Sequence, residues 1–147
     1  MVIAGFGLFG QSVLEELSHY AKKEIDTVAI IAKDAHRRVL VVDEQLQLTD
    51  FAKREILEGN ISHPEIWDKL YQNVDLDNSE PIIILGTGSA EENLRAALWL
   101  REKYPNALII ARSQQPSQFA QEIGQQYGIN SVSITQLVKE NFPKDWL

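Results

Sequence analysis

With 147 residues, 44% of them hydrophobic and 24% charged, the chain fits one globular domain, and a domain of that size buries roughly two-thirds of the surface its unfolded form exposes. No apolar run approaches the roughly 18 residues of a membrane-spanning helix, and the lack of cysteine excludes thiol nucleophiles, disulfides and cysteine-bound zinc. A formal net charge of −7 argues against non-specific nucleic-acid binding, which rewards clustered Lys and Arg.

Val2-Ile3-Ala4 is short, apolar and followed at once by glycines, so it reads as a buried strand entering a tight turn. From Gln11 the period changes. Val13, Leu14, Leu17 and Tyr20 or Ala21 share one helical face opposite Glu15, Glu16 and Lys22, predicting a first helix to about Lys23. Thr27 to Ala32 is a second apolar strand. Arg38-Val39-Leu40-Val41-Val42 reads either as a strand, by its β-branched content, or as part of a helix whose apolar face is Val39, Val42 and Leu46, so residues 34–53 stay open. Glu55-Ile56-Leu57 is a short third strand before Gly59. Ser62-His63-Pro64-Glu65 then offers a serine cap, a first-turn proline and a glutamate three residues after the cap, starting a helix through Ile66, Trp67 and Leu70.

After the polar loop Asp75 to Glu80, Pro81-Ile82-Ile83-Ile84-Leu85 has the pattern of a fully buried strand and ends in Gly86-Thr87-Gly88. Ser89-Ala90-Glu91-Glu92 repeats the capping pattern and opens a helix with Leu94, Ala97, Leu98 and Arg101 at helical spacing. Ala107 to Ala111 is a fifth strand. Pro116 starts a helix in which Phe119, Ile123 and Tyr127 recur every four residues until Gly128, and Ser131 to Ile134 makes a last strand before a short terminal helix. Strands alternating with helices predict an α/β, Rossmann-type doubly wound parallel sheet of about six strands with helices on both faces. Right-handed crossovers place its ligand crevice at the carboxyl ends of the strands.

Gly5-Phe6-Gly7-Leu8-Phe9-Gly10 lies between the first strand and the first helix, the context that gives a Gly-x-Gly-x-x-Gly spacing its meaning. There Gly5 permits the turn, Gly7 lets a pyrophosphate approach the backbone, and Gly10 allows close packing of helix on strand. The helix N-terminus then offers free N–H groups and a positive dipole end to phosphates. The same fingerprint calls for a carboxylate at the end of the second strand to bind ribose hydroxyls, and here Ala32 stands in that place, with Lys33, Asp34, Arg37 and Arg38 after it. Two readings follow. Either the basic residues accept a 2′-phosphate, or Asp34 replaces the missing carboxylate; the second is favoured slightly, which makes NAD(H) or AMP, ADP or ATP the expected ligand and NADP an alternative.

The glycine loop, Glu58-Gly59-Asn60-Ile61-Ser62-His63-Pro64-Glu65, Gly86-Thr87-Gly88, Glu91-Glu92-Asn93-Leu94 and Ile109-Ile110-Ala111-Arg112 fall in an order and spacing that resembles the RCK domain, also called KTN or the Trk-type nucleotide-binding domain. The resemblance spans nearly all of the chain. It implies that Gly59-Asn60-Ile61 lies beside the adenosine, where the family has Gly-Asp; that Gly86-Thr87-Gly88 lines the phosphate and second ribose; and that Asn93 and Arg112 complete the site. It further implies a cytosolic, non-enzymatic regulatory domain controlling a potassium or other cation channel or transporter at the cytosolic face of a membrane, working as a homodimer or larger homo-oligomer. Trp99, Leu100, Phe119 or Phe142 would supply the self-complementary patch. The rival class is the cofactor-binding half of an NAD(P)-dependent oxidoreductase. Against that, His19, His36 and His63 have no metal-ligand spacing, and Ser12, Ser89 and Ser133 lack a nucleophile motif. Trp67, Trp99 and Trp146 read as packing or interface residues. Residues 1–147 read as a single domain excised from a larger chain: Met1 stands directly at the first strand, and Phe142 to Leu147 resembles the start of a connection.

Overall fold

The computed structural model describes residues 1–20, 25–39, 51, 53–114 and 118–133. Six strands, β1 (Val2–Ala4), β2 (Thr27–Ala32), β3 (Lys53–Glu58), β4 (Ile82–Leu85), β5 (Leu108–Ser113) and β6 (Ile129–Ser133), form one sheet. Their order is β3-β2-β1-β4-β5-β6, and all neighbouring strands run parallel. Between them lie α1 (Leu8–Tyr20), α2 (Pro64–Asn73), α3 (Ala90–Lys103) and α4 (Gln118–Tyr127). The chain thus builds the Rossmann-type doubly wound sheet its alternation predicts.

Burial explains why the strands read as unbroken apolar runs. Ile3, Val28, Ile30 and Ile84 pack on one face of the sheet with Leu14 of α1 and with Ala35 and Val39. Val2, Ala4, Ile31, Ile83 and Leu85 pack on the other with Ile66, Trp67 and Leu70 of α2 and Ala97 and Leu100 of α3. Alternate residues of each strand therefore serve opposite cores, the two-residue period of a strand covered on both sides. The order reverses between β1 and β4, which opens a crevice at their carboxyl ends.

Several elements depart from the sequence reading. α1 begins at Leu8 rather than Gln11, so Leu8, Phe9 and Gly10 form its first turn. Residues 35–39 are helical, which resolves the described part of the open segment in favour of the helix; Leu40, Val41, Val42 and Leu46 lie outside the described residues. The second helix has His63, not Ser62, as its N-cap, with no side-chain capping bond and Pro64 in the first turn. Asn60 explains the shift: its Oδ1 accepts from the Ser62 N–H at 2.9 Å, an Asx turn that carries the chain one residue further before the helix starts. Ser89 does cap α3, accepting from the Glu92 N–H at 3.2 Å. The buried face of α3 is Asn93, Ala96, Ala97 and Leu100, so Leu100 belongs to the core and not to an exposed patch. Helix α4 leaves Phe119 68% and Tyr127 46% exposed. It approaches β6 through Gly124, where a Cβ would sit 2.7 Å from the Ile129 carbonyl oxygen. Pro116, Phe142, Trp146 and the terminal helix lie outside the described residues.

Candidate functional site

The turn after β1 is built by glycine where only glycine fits. Gly5 has φ +89°, and a Cβ there would lie 2.7 Å from the Thr87 nitrogen and 2.8 Å from the Gly86 carbonyl carbon. The loop after β1 and the turn after β4 therefore meet backbone to backbone. A Cβ on Gly10 would lie 2.3 Å from the Gly5 carbonyl oxygen, so the third glycine lets α1 close onto the turn. Gly7 differs from both: its nearest neighbour would be Arg38 Nη1 at 3.7 Å, leaving space above the helix N-terminus. Phe6 anchors the loop from beneath, with its ring 1% exposed in the core. Its carbonyl accepts from Gln11 Nε2 at 3.0 Å and Arg38 Nη1 at 3.2 Å.

On the opposite wall, Asn93 fixes the turn after β4. The side chain is fully buried. Its Oδ1 accepts from the Thr87 N–H at 3.1 Å and the Thr87 hydroxyl at 2.6 Å, while Nδ2 donates to the Thr87 and Arg112 carbonyls, each at 3.0 Å. One amide thus ties the β4 turn to the end of β5. Thr87 Oγ1 accepts from the Ser89 N–H at 3.3 Å, and Gln114 Nε2 donates to the Gly88 carbonyl at 2.9 Å, so the chain's own hydrogen bonds fix this wall.

At the end of β2 the chain turns directly into the helical residues 35–39. Arg38 spans this corner, donating from Nε to Asp34 Oδ1 at 2.6 Å and from Nη1 to the glycine loop. The Arg38 hydrogen bond holds the Asp34 carboxyl below the usual carboxylate range, with the Arg38 and Arg37 charges adding to it. Glu58, which pairs in register with Ala32, accepts from the His36 N–H at 3.2 Å.

These walls enclose a cleft of about 560 Å³ across the β1/β4 switch point. Gly5, Phe6 and Gly7 line it, as do Ala32, Lys33 and Asp34, Gly59, Asn60 and Ile61, Gly86, Thr87 and Gly88, and Arg112. The remaining singled-out residues do not line it. Leu8 is 85% exposed, Phe9 packs against Gly86 with Arg112 5.4 Å above its ring, Gly10 is beneath Gly5, and Asn93 is beneath Thr87. The cleft also includes Ile31, Ser89 and Glu92, which the sequence reading left out of the site, and Arg38, which it offered only as one of the basic residues that could accept a 2′-phosphate. Ser89 and Glu92 were visible as a helix cap, and a cap at the head of a helix facing a switch point is itself the signal. The open reading of its segment left Arg38 undistinguished from Arg37, which does not line the cleft.

The family model of the TrkA-N domain matches residues 1–135. No curated protein matches the chain.

Proposed function

As the chain belongs to the TrkA-N domain family, we propose that it is a regulatory module that holds an adenine nucleotide, NAD(H), NADP(H), AMP, ADP or ATP, at this cleft. Occupancy would be passed to a potassium or other cation channel or transporter at the cytosolic face of a membrane, in the same polypeptide or as a separate subunit. The observation that carries the reading is the contrast among the three loop glycines. Two are filled by backbone contacts, whereas Gly7 faces open space at the head of α1, where unpaired N–H groups and the helix dipole attract phosphate. Regulation requires no reacting group, only a ligand that binds one conformation of the assembly better than another.

A thermal-shift panel of NAD, NADH, NADP, AMP, ADP and ATP tests the reading. A ligand at 100 times its Kd stabilises by about 2.7 kcal/mol, so at least one of them is expected to raise the Tm by several degrees. No shift with any would overturn it. Such modules act as pairs or rings, and the exposed Phe119 on α4 supplies part of an apolar surface for a second copy. Light scattering is expected to read at least a dimer, and a monomer at high micromolar concentration counts against that.

A further inference from the structure

The end of β2 carries a basic surface where the Rossmann ribose ordinarily meets a carboxylate. Ala32 lines the cleft and is only 7% exposed, so nothing at that position repels a phosphate. Lys33 and Arg38 line the same corner. The neighbouring carboxylates are turned to other work: Asp34 accepts Arg38 Nε at 2.6 Å and lies 3.9 Å from Arg37, and Glu58 accepts the His36 N–H. Arg38 keeps 41% of its side chain exposed. Its bonds to Asp34 and Phe6 use two of the five N–H donors a guanidinium carries, and they hold the fork in place rather than block it. In a chain with net charge −7, the cleft lining holds Lys33, Arg38 and Arg112 against Asp34 and Glu92.

We propose that Lys33 and Arg38 form a subsite for a phosphate on the 2′ position of the adenosine ribose, so that the cleft prefers a 2′-phosphorylated adenine dinucleotide, NADP(H), to NAD(H). This rests on the reading of the cleft as an adenine-nucleotide site and reverses the preference that the sequence favours slightly. A planar guanidinium already oriented by a carboxylate and a carbonyl loses little freedom on accepting an oxyanion, and it does so through charge-assisted, paired bonds. Asp34 contributes by aiming Arg38.

The experiment is isothermal titration of NADP⁺ against NAD⁺, and of 2′,5′-ADP against 5′-AMP, on the wild-type chain and on Arg38→Gln. The 2′-phosphorylated member of each pair is expected to bind wild type at least about tenfold more tightly, a free-energy difference that one charge-assisted contact supplies. Arg38→Gln should cut that ratio to within about threefold by weakening the phosphorylated members alone. Arg38 is substantially exposed, so the variant is expected to fold, and its Tm checks this. NAD⁺ binding as tightly as NADP⁺, or tighter, overturns the proposal while leaving the nucleotide reading intact. Equal weakening of both members by Arg38→Gln assigns the arginine to the pyrophosphate and overturns it too. Binding of none of these ligands to folded wild type removes the nucleotide reading and the proposal with it.

Discussion

Asn93→Asp is expected to destabilise the domain by about 3 to 5 kcal/mol at neutral pH, although it exchanges one amide group for an oxygen of nearly the same size. The Oδ1 contacts to Thr87 survive the change. The atom replacing Nδ2 faces the Thr87 and Arg112 carbonyl oxygens at 3.0 Å, where a donor has become an acceptor in a site closed to water. Set against a total stability of about 5 to 15 kcal/mol, that loss threatens the folded state itself. The deficit should depend on pH in a defined direction. Burial raises the introduced carboxyl above its unfolded value of roughly 4, so the folded state binds a proton that the unfolded state releases. The variant therefore recovers stability as the pH falls through the raised folded-state pKa, since the protonated acid donates to one of the two carbonyls. Urea denaturation at pH 7.5 and pH 5 measures both effects. A loss below about 1 kcal/mol at pH 7.5 would mean that Asn93 is not the strut between β4 and β5.

Asn93 also marks a boundary of what the sequence expresses. Its place on the helix after Gly86-Thr87-Gly88 is legible, but its set of partners depends on Arg112, 19 residues away, and only the fold brings that carbonyl within reach. The strands are legible for a simpler reason. Ile82 to Leu85 and Thr27 to Ala32 are covered on both faces, so burial writes itself into consecutive apolar residues. The glycine spacing is legible because backbone contact at Gly5 and Gly10 tolerates no side chain. Residues 35–39 are not, because Ala35 and Val39 serve as core under either a helical or an extended path, and packing beneath β2 selects the helix. Which of Arg37 and Arg38 reaches the cleft was illegible for that reason. The four-residue period of Phe119, Ile123 and Tyr127 marks the helix correctly, but such a period reports that a helix has an apolar face, not whether this chain covers it. The contact that joins α4 to the sheet runs instead through Gly124, whose missing side chain leaves no hydrophobic signal.

Gly7→Asp is expected to abolish nucleotide binding, with at least a hundredfold loss of affinity, about 2.7 kcal/mol, while leaving the fold in place. Structure and binding separate cleanly at this position. Gly7 has no positive φ that would strain an L-residue, and a Cβ there meets only Arg38 Nη1 at an ordinary 3.7 Å. The new carboxylate is within reach of that guanidinium, so the unliganded protein should keep its Tm or rise slightly. The same carboxylate fills the space over the α1 N-terminus and places a negative charge where a pyrophosphate would carry its own, so the head of the helix is already neutralised when ligand arrives. Gly7→Ala separates the two effects, since a methyl group adds bulk without charge. It should weaken binding less than Gly7→Asp, and the gap between the variants should narrow at high salt, as screening reduces the repulsive part. Isothermal titration with NAD⁺ and NADP⁺ on both variants, alongside thermal melts, provides the measurements. A folded Gly7→Asp protein with unchanged affinity for the ligand that wild type binds would move the phosphates away from the glycine loop, and the cleft would then need another occupant.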